Sequence, residues 1–120
     1  MIYSEENKKI KSPYGSVYIG ERTWIANGCT ISGTVYIPKQ SIVAALSLVN
    51  KDFSNVETTG NLFAGCPATL KKTGLYRVFS HSIQQEMFKS FFSDPSTKEI
   101  TNENYTIEDL QQIDSYNAYY

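Results

Sequence analysis

Ile19-Gly20-Glu21-Arg22-Thr23-Trp24, Ile25-Ala26-Asn27-Gly28-Cys29-Thr30, Ile31-Ser32-Gly33-Thr34-Val35-Tyr36, Ile37-Pro38-Lys39-Gln40-Ser41-Ile42, Val43-Ala44-Ala45-Leu46-Ser47-Leu48 and Val49-Asn50-Lys51-Asp52-Phe53-Ser54 follow one another without a gap. Every block opens with Ile or Val. The fifth place holds Thr23, Cys29, Val35, Ser41 and Ser47, small or β-branched until Phe53 ends the pattern. The second place holds Gly20, Ala26, Ser32, Pro38, Ala44 and Asn50, residues suited to a tight bend. A period of six is neither the helical nor the simple strand period. It is a signature of a parallel β-helix. Chance spacing of ordinary strands would not keep both the aliphatic and the small places in register.

Places five and six and the next place one form a short strand, with side chains alternating across it. Thr23 and Ile25 then point inward and Trp24 outward; Cys29 and Ile31 point inward and Thr30 outward. The middle of each block turns the chain, and Asn27-Gly28 tolerates the positive φ such a turn needs.

Upstream, residues 1–12 are polar and charged and read as a strand-turn lead-in, with Ile2 and Ile10 as its apolar points. Pro13 to Tyr18 is a partial block, Val17 inward and Tyr18 outward. Downstream, Asn55 to Leu62 is a polar excursion. Phe63 to Lys72 returns through a tight Gly65-Cys66-Pro67-Ala68 turn into a short basic strand, and Gly74 ends it. Residues 75–120 differ in character. Ser82 with Gln85 predicts a capping box. Ile83, Met87 and Phe91 then mark an amphipathic helix over 82–93, stopped by Asp94-Pro95. Its Met and aromatic residues read as packing. Thr106 with Asp109 predicts a second N-cap for a short helix through Ile107, Leu110, Ile113 and Tyr116. The expected division is residues 1–74 as the repeat domain and 75–120 as a helical tail.

At 120 residues the chain is one domain, or one domain and a tail. A net charge of −1 gives no argument for nucleic acid or a membrane surface. No apolar run reaches membrane-span length, and the charged lead-in does not read as a signal peptide, so a cytoplasmic location is the expectation. Asn104-Tyr105-Thr106 therefore reads as a coincidental glycosylation tripeptide. Two cysteines make no disulfide framework. Cys29 reads as a packed thiol, and Cys66 lies in the turn. One histidine gives a zinc site little support.

Exposed apolar stripes argue for a partner surface, and an open upper coil edge argues for further chain, a cap or an oligomer.

Ile19-Gly20-Glu21-Arg22-Thr23-Trp24-Ile25, Val43-Ala44-Ala45-Leu46-Ser47-Leu48-Val49 and Ala64-Gly65-Cys66-Pro67-Ala68 together resemble the hexapeptide-repeat acyltransferases, in particular those acetylating sugars and cell-surface polysaccharides. The likeness covers nearly half of the chain. It implies left-handed coils of three blocks each, so that residues 18 apart stack: Tyr18 beside Tyr36, Trp24 beside Ile42, Thr30 beside Leu48. It implies a homotrimer with acetyl-CoA lying between subunits. The matching positions for the pantetheine arm are Ala44 and Ala45, then Cys66 and Ala68, where small side chains leave the backbone accessible. Lys71 and Lys72 would meet the CoA phosphates as point charges, and Trp24 would line the groove or fill a subunit contact.

This sequence departs from the family at Ala44 and Leu46, where glycine is usual, and at Cys66 and Thr69. It departs further in its base. The family's histidine lies shortly before a segment like Ile2-Tyr3-Ser4-Glu5, a position that would fall before Met1. His81 matches no family position and reads as a surface or capping residue. No catalytic residue is therefore assigned. The resemblance implies an acetyl-CoA-dependent O-acetyltransferase, or its C-terminal part, acting on a sugar hydroxyl. The alternative is a non-catalytic trimeric β-helix that serves as scaffold or binds a partner.

Overall fold

A computed structural model describes residues 1–114. These are mainly strands, with two helices following them. The chain divides into two compact units, Met1–Leu75 and a second that begins at Tyr76.

The first unit opens with β1 (Ile2–Ser4) and β2 (Lys9–Lys11), an antiparallel hairpin. Ile2 and Ile10 are largely exposed. As apolar points they bury nothing, because a two-stranded ribbon has no second layer of its own to pack against.

Three pairs of parallel strands follow, each joining residues 18 positions apart. β3 (Val17–Ile19) pairs with β6 (Val35–Ile37), bringing Tyr18 against Tyr36. β4 (Trp24–Ile25) pairs with β7 (Ile42–Val43), Trp24 against Ile42. β5 (Thr30–Ile31) pairs with β8 (Leu48–Val49), Thr30 against Leu48. The first layer is thus β3, β4 and β5, and the second is β6, β7 and β8. The Tyr18 and Tyr36 rings stack on the outside with centroids 4.4 Å apart.

The period then loosens. Tyr36 bridges Asp52 in parallel, and β7 pairs with β9 (Leu62–Gly65), Ile42 against Leu62. The loop that makes up the difference is held by Asn61. Its side-chain amide donates to the Thr58 carbonyl at 2.9 Å, its Oδ1 accepts from the Thr58 hydroxyl at 2.6 Å, and its carbonyl accepts from the Ile42 amide. The residue is fully buried with its polar groups satisfied, as burial demands. β10 (Ala68–Lys72) folds back antiparallel on β9, with a register shift between Leu70 and Lys72. A four-stranded sheet results, in the order β10-β9-β7-β4.

The inward residues form one core of Val35, Ile37, Val43, Val49, Phe53, Phe63 and Ala68, with Ile25, Cys29 and Ile31 packed against it. Phe53 and Phe63 meet with ring centroids 4.4 Å apart. Both are buried, so the core is covered at this end, while β10 is an edge strand of the four-stranded sheet and β8 pairs with β5 alone among the described strands. Small polar residues at the fifth place have a task of their own. Thr23 and Ser41 both donate to the Pro38 carbonyl. Cys29 and Ser47 both donate to the Ala44 carbonyl, at 3.1 and 2.7 Å. The carbonyl at place two turns inward, and the residues at place five satisfy it from its own block and from the layer below.

The chain turns in the middle of each block, as Asn27-Gly28 predicts, and the second place itself is not the corner. Left-handed backbone occurs at the fourth place, at Arg22 (φ 56°), Gly28 (73°), Gln40 (58°) and Leu46 (61°), so corners 18 residues apart share a conformation. Gly20 is needed for another reason: a Cβ there would lie 2.2 Å from the Lys39 backbone nitrogen.

The second unit carries α1 (His81–Ser93) and α2 (Ile107–Gln111). The N-cap of α1 is Ser80, whose hydroxyl accepts from the Ile83 amide, and not Ser82. Helix geometry places the acceptor three residues before the donor it caps, and Ser82 lies within the first turn. The capping box of Thr106 and Asp109 forms with both bonds. Ile113 lies beyond α2, and Tyr116 falls outside the described residues.

Candidate functional site

All seven residues singled out by the resemblance stand on or beside the four-stranded sheet. Trp24 is on β4, Ala44 and Ala45 follow β7, Cys66 lies in the β9–β10 turn, and Ala68, Lys71 and Lys72 are on β10. The pairing Trp24↔Ile42, Ile42↔Leu62 and Leu62↔Lys72 runs straight across the sheet. The next row, Ile25, Val43, Phe63 and Leu70, alternates to the other face. Val43 and Phe63 in it are fully buried, so the row of Trp24, Ile42, Leu62 and Lys72 faces outward.

The same alternation sets a second outward row. Ala26 donates its amide to Val43 and Ala44 to Phe63, which carries the ladder one residue past β4 and β7. Ala64 and Thr69 pair on β9 and β10. Ala26, Ala44, Ala64 and Thr69 therefore make a floor of short side chains beside a ridge of Trp24, Ile42 and Leu62. Ala26 and Ala64 were not among the residues expected here. Their signal was available, since each follows an inward residue in the strand, but it became legible only once β9 was known to pair with β7.

The seven residues do not play equivalent parts. The backbone groups of Ala44 are engaged within the fold: its amide donates to the Phe63 carbonyl at 2.9 Å, and its carbonyl accepts from both Cys29 and Ser47. Its contribution is the shortness of its side chain. Ala45 is exposed, as is Leu46 beside it. The Cys66–Pro67 peptide is cis, and Cys66 is exposed at the turn. The Ala68 side chain is buried in the core and offers only its backbone. Lys71 falls at the register shift of β10, so it and Lys72 emerge together at the exposed end of the strand.

The helical unit holds the residue types of a nucleophilic triad without its connections. Asp114 accepts from the Ser80 hydroxyl at 2.9 Å, the His81 amide at 2.8 Å, and both the amide and the hydroxyl of Ser82, the last at 2.5 Å. The Ser82 hydroxyl foremost, and then Ser80 and the two amides, hold its carboxyl down at about 2. The bond from His81 comes from its backbone, so Asp114 does not orient the imidazole as a triad carboxylate would. Asp114 and Ser80 close the first turn of α1, where backbone amides lack helical partners. His81 is the first residue of α1, one place after the N-cap Ser80.

Comparison with family models, with curated proteins and with solved structures gives no match to this chain. Among the described residues no group of three or more His, Cys, Asp or Glu is placed to hold a metal ion, and no helix is long and apolar enough to cross a membrane.

Proposed function

We propose that Met1–Leu75 is a left-handed parallel β-helix of the hexapeptide-repeat acyltransferase kind, and that its four-stranded sheet holds the donor of an acetyl-CoA-dependent O-acetyltransferase acting on a sugar hydroxyl. The observation that carries the reading is the outer face of that sheet. A floor of Ala26, Ala44 and Ala64 runs beside the Trp24 ridge, and Lys72 closes the ridge row. Such a face suits a narrow, largely apolar arm ending in phosphates: short side chains let the arm lie close, and lysines meet the phosphates. A homotrimer would set a second subunit along the same face and bury the ridge.

In the reaction the sugar oxygen attacks the thioester carbonyl, the C–S bond breaks, the new C–O bond forms, and the hydroxyl proton ends on the CoA thiol. The residues named here bind and orient the donor. His81 belongs to the helical unit and is not assigned the proton transfer.

Isothermal titration of the full chain with CoA tests the reading. Micromolar binding, weakened about tenfold in Lys71→Glu/Lys72→Glu and weakening with added salt as exposed charge pairs do, is the expected result. A folded chain that shows no binding below the millimolar range overturns it. The non-catalytic scaffold would then be favoured, an outcome consistent with the engaged backbone of Ala44.

A further inference from the structure

Of the asparagines in the chain, only Asn27 precedes a glycine. The backbone nitrogen that follows an asparagine can attack its side-chain amide. A Cβ on the attacking residue stands in the way, and glycine has none.

The fold leaves this pair open to the reaction. Asn27 and Gly28 are both exposed. Among the described residues, neither the Asn27 side chain nor the Gly28 amide takes part in a hydrogen bond. Other asparagines are held. Asn61 is fully buried, with both side-chain polar atoms engaged by Thr58. Asn102 donates to the Tyr105 carbonyl at 2.7 Å and accepts from the Tyr105 amide at 3.0 Å. Asn7 accepts from the Lys9 amide at 3.0 Å. Asn50 and Asn55 are exposed, but Lys51 and Val56 follow them.

We propose that Asn27-Gly28 is a modification site at which the folded chain deamidates itself to aspartate and isoaspartate. The Gly28 nitrogen loses its proton and bonds to Asn27 Cγ. The Cγ–Nδ2 bond breaks, the proton and the amide nitrogen leave as ammonia, and a five-membered imide remains. Water then opens the ring. Addition at Cγ gives aspartate. Addition at the former backbone carbonyl gives isoaspartate, in which the main chain runs through Cβ and Cγ and the old carbonyl becomes a free carboxylate. Water is the one co-reactant, and nothing is oxidised or reduced.

The place of the pair in the stack gives the reaction a consequence. The Asn27 carbonyl accepts from the Leu46 amide at 3.0 Å and so ties this corner to the next layer, as the Glu21 carbonyl ties the neighbouring corner to Gln40 at 2.8 Å. Isoaspartate removes that oxygen from the main chain and adds one carbon between Ala26 and Gly28. The two ends of the corner cannot part to take up the length, because the amides of Ala26 and Thr30 are bound to the carbonyls of Val43 and Ser47 at 3.0 and 2.9 Å. The corner bulges, and the bond to Leu46 is lost. The new carboxylate also adds one negative charge to a chain whose net charge is −1. The reaction thus loosens one corner of the first layer irreversibly with time.

Incubation of the folded full chain at mildly alkaline pH, followed by peptide mapping with mass spectrometry, tests the proposal. The expected result is the mass gain of an amide becoming a carboxylate at position 27, ahead of exposed Asn50 and Asn55, with aspartate and isoaspartate resolved as two products. The urea midpoint of the incubated protein falls as the isoaspartate fraction rises. Asn27→Gln, whose side chain would have to close a larger ring, gains no mass there and keeps its midpoint over the same interval. Conversion at Asn27 no faster than at Asn50 or Asn55 overturns the proposal without recourse to any variant. So does an intact Asn27 in the folded chain over an interval in which the urea-unfolded chain converts fully. Conversion with an unchanged urea midpoint overturns the consequence drawn for the corner.

Discussion

The side chain of Leu46 lies over the α-carbon of Gly28, so that a Cβ on Gly28 would come within 2.6 Å of Leu46 Cδ2. Both residues have left-handed backbone, φ 61° for Leu46 and 73° for Gly28. A γ-branched residue in that conformation costs about 1 kcal/mol relative to glycine, and Leu46 is 78% exposed, so little burial offsets the cost. Leu46→Gly should leave stability unchanged or raise it by up to about 1 kcal/mol, the relief being partly cancelled by the greater freedom of glycine in the unfolded chain. It should also tighten CoA binding by clearing the corner beside Ala45. Gly28→Ala should lose about 1–2 kcal/mol, and less when combined with Leu46→Gly. Chemical denaturation of the four proteins gives the coupling directly.

Gly20→Ala should be far more damaging, although Gly20 does not need a positive φ. The added methyl would strike the Lys39 backbone 2.2 Å away, and a layer held by backbone bonds such as Gly20 to Ile37 at 2.8 Å cannot move aside. A loss of about 3 kcal/mol or more is expected, seen as loss of the folded β signal near room temperature.

Ser47 tests the internal polar ladder. Its buried hydroxyl donates to Ala44 and accepts from the Gly65 amide at 3.2 Å. Ser47→Ala removes the acceptor of a part-buried amide and should cost about 1–3 kcal/mol, well above an exposed Ser→Ala change. Urea midpoints of Ser47→Ala and of exposed Ser54→Ala as control make the comparison.

Phe63 closes the last layer, fully buried against Phe53. Phe63→Ala should cost about 3–5 kcal/mol. Phe92→Ala, on the exposed side of α1, should change stability by less than about 0.5 kcal/mol.

Asp114 gives the helical unit a defined acid response. Its carboxyl is held at about 2, below the usual 3.8, so the ionised form is favoured by folding. The contribution is complete above the ordinary value and is lost as pH falls through about 2. Melting of the helical signal should therefore weaken between about pH 4 and pH 2. Asp114→Asn should melt lower at neutral pH and show a flatter response in that window.

Much of the first unit was legible in the hexads. Place one and place five told which residues turn inward, because alternation along a strand is a local rule. Tyr18 against Tyr36, Trp24 against Ile42 and Thr30 against Leu48 followed once three blocks were taken per layer. Thr106 and Asp109 announced their cap, since a capping box is closed within four residues. Ser80 was missed in favour of Ser82 because the carboxylate that secures the α1 start, Asp114, lies more than thirty positions away.

Composition and local spacing by themselves determined the strand pattern, the inward set and the two helices. Tertiary structure alone decided what each of those residues meets. Ile2 and Ile10 stay exposed because, among the described residues, no layer packs on their hairpin. Val17 and Val35 share one local sequence and differ in burial because, among the described residues, β6 has strand neighbours on both sides and β3 on one. Ala44 has its backbone engaged because Cys29 and Ser47 reach it from two layers. Ala26, Ala44 and Ala64 become one surface through β4, β7 and β9, strands far apart in the chain. Local rules fix which way a side chain turns; which neighbour is there to receive it depends on pairing between distant segments.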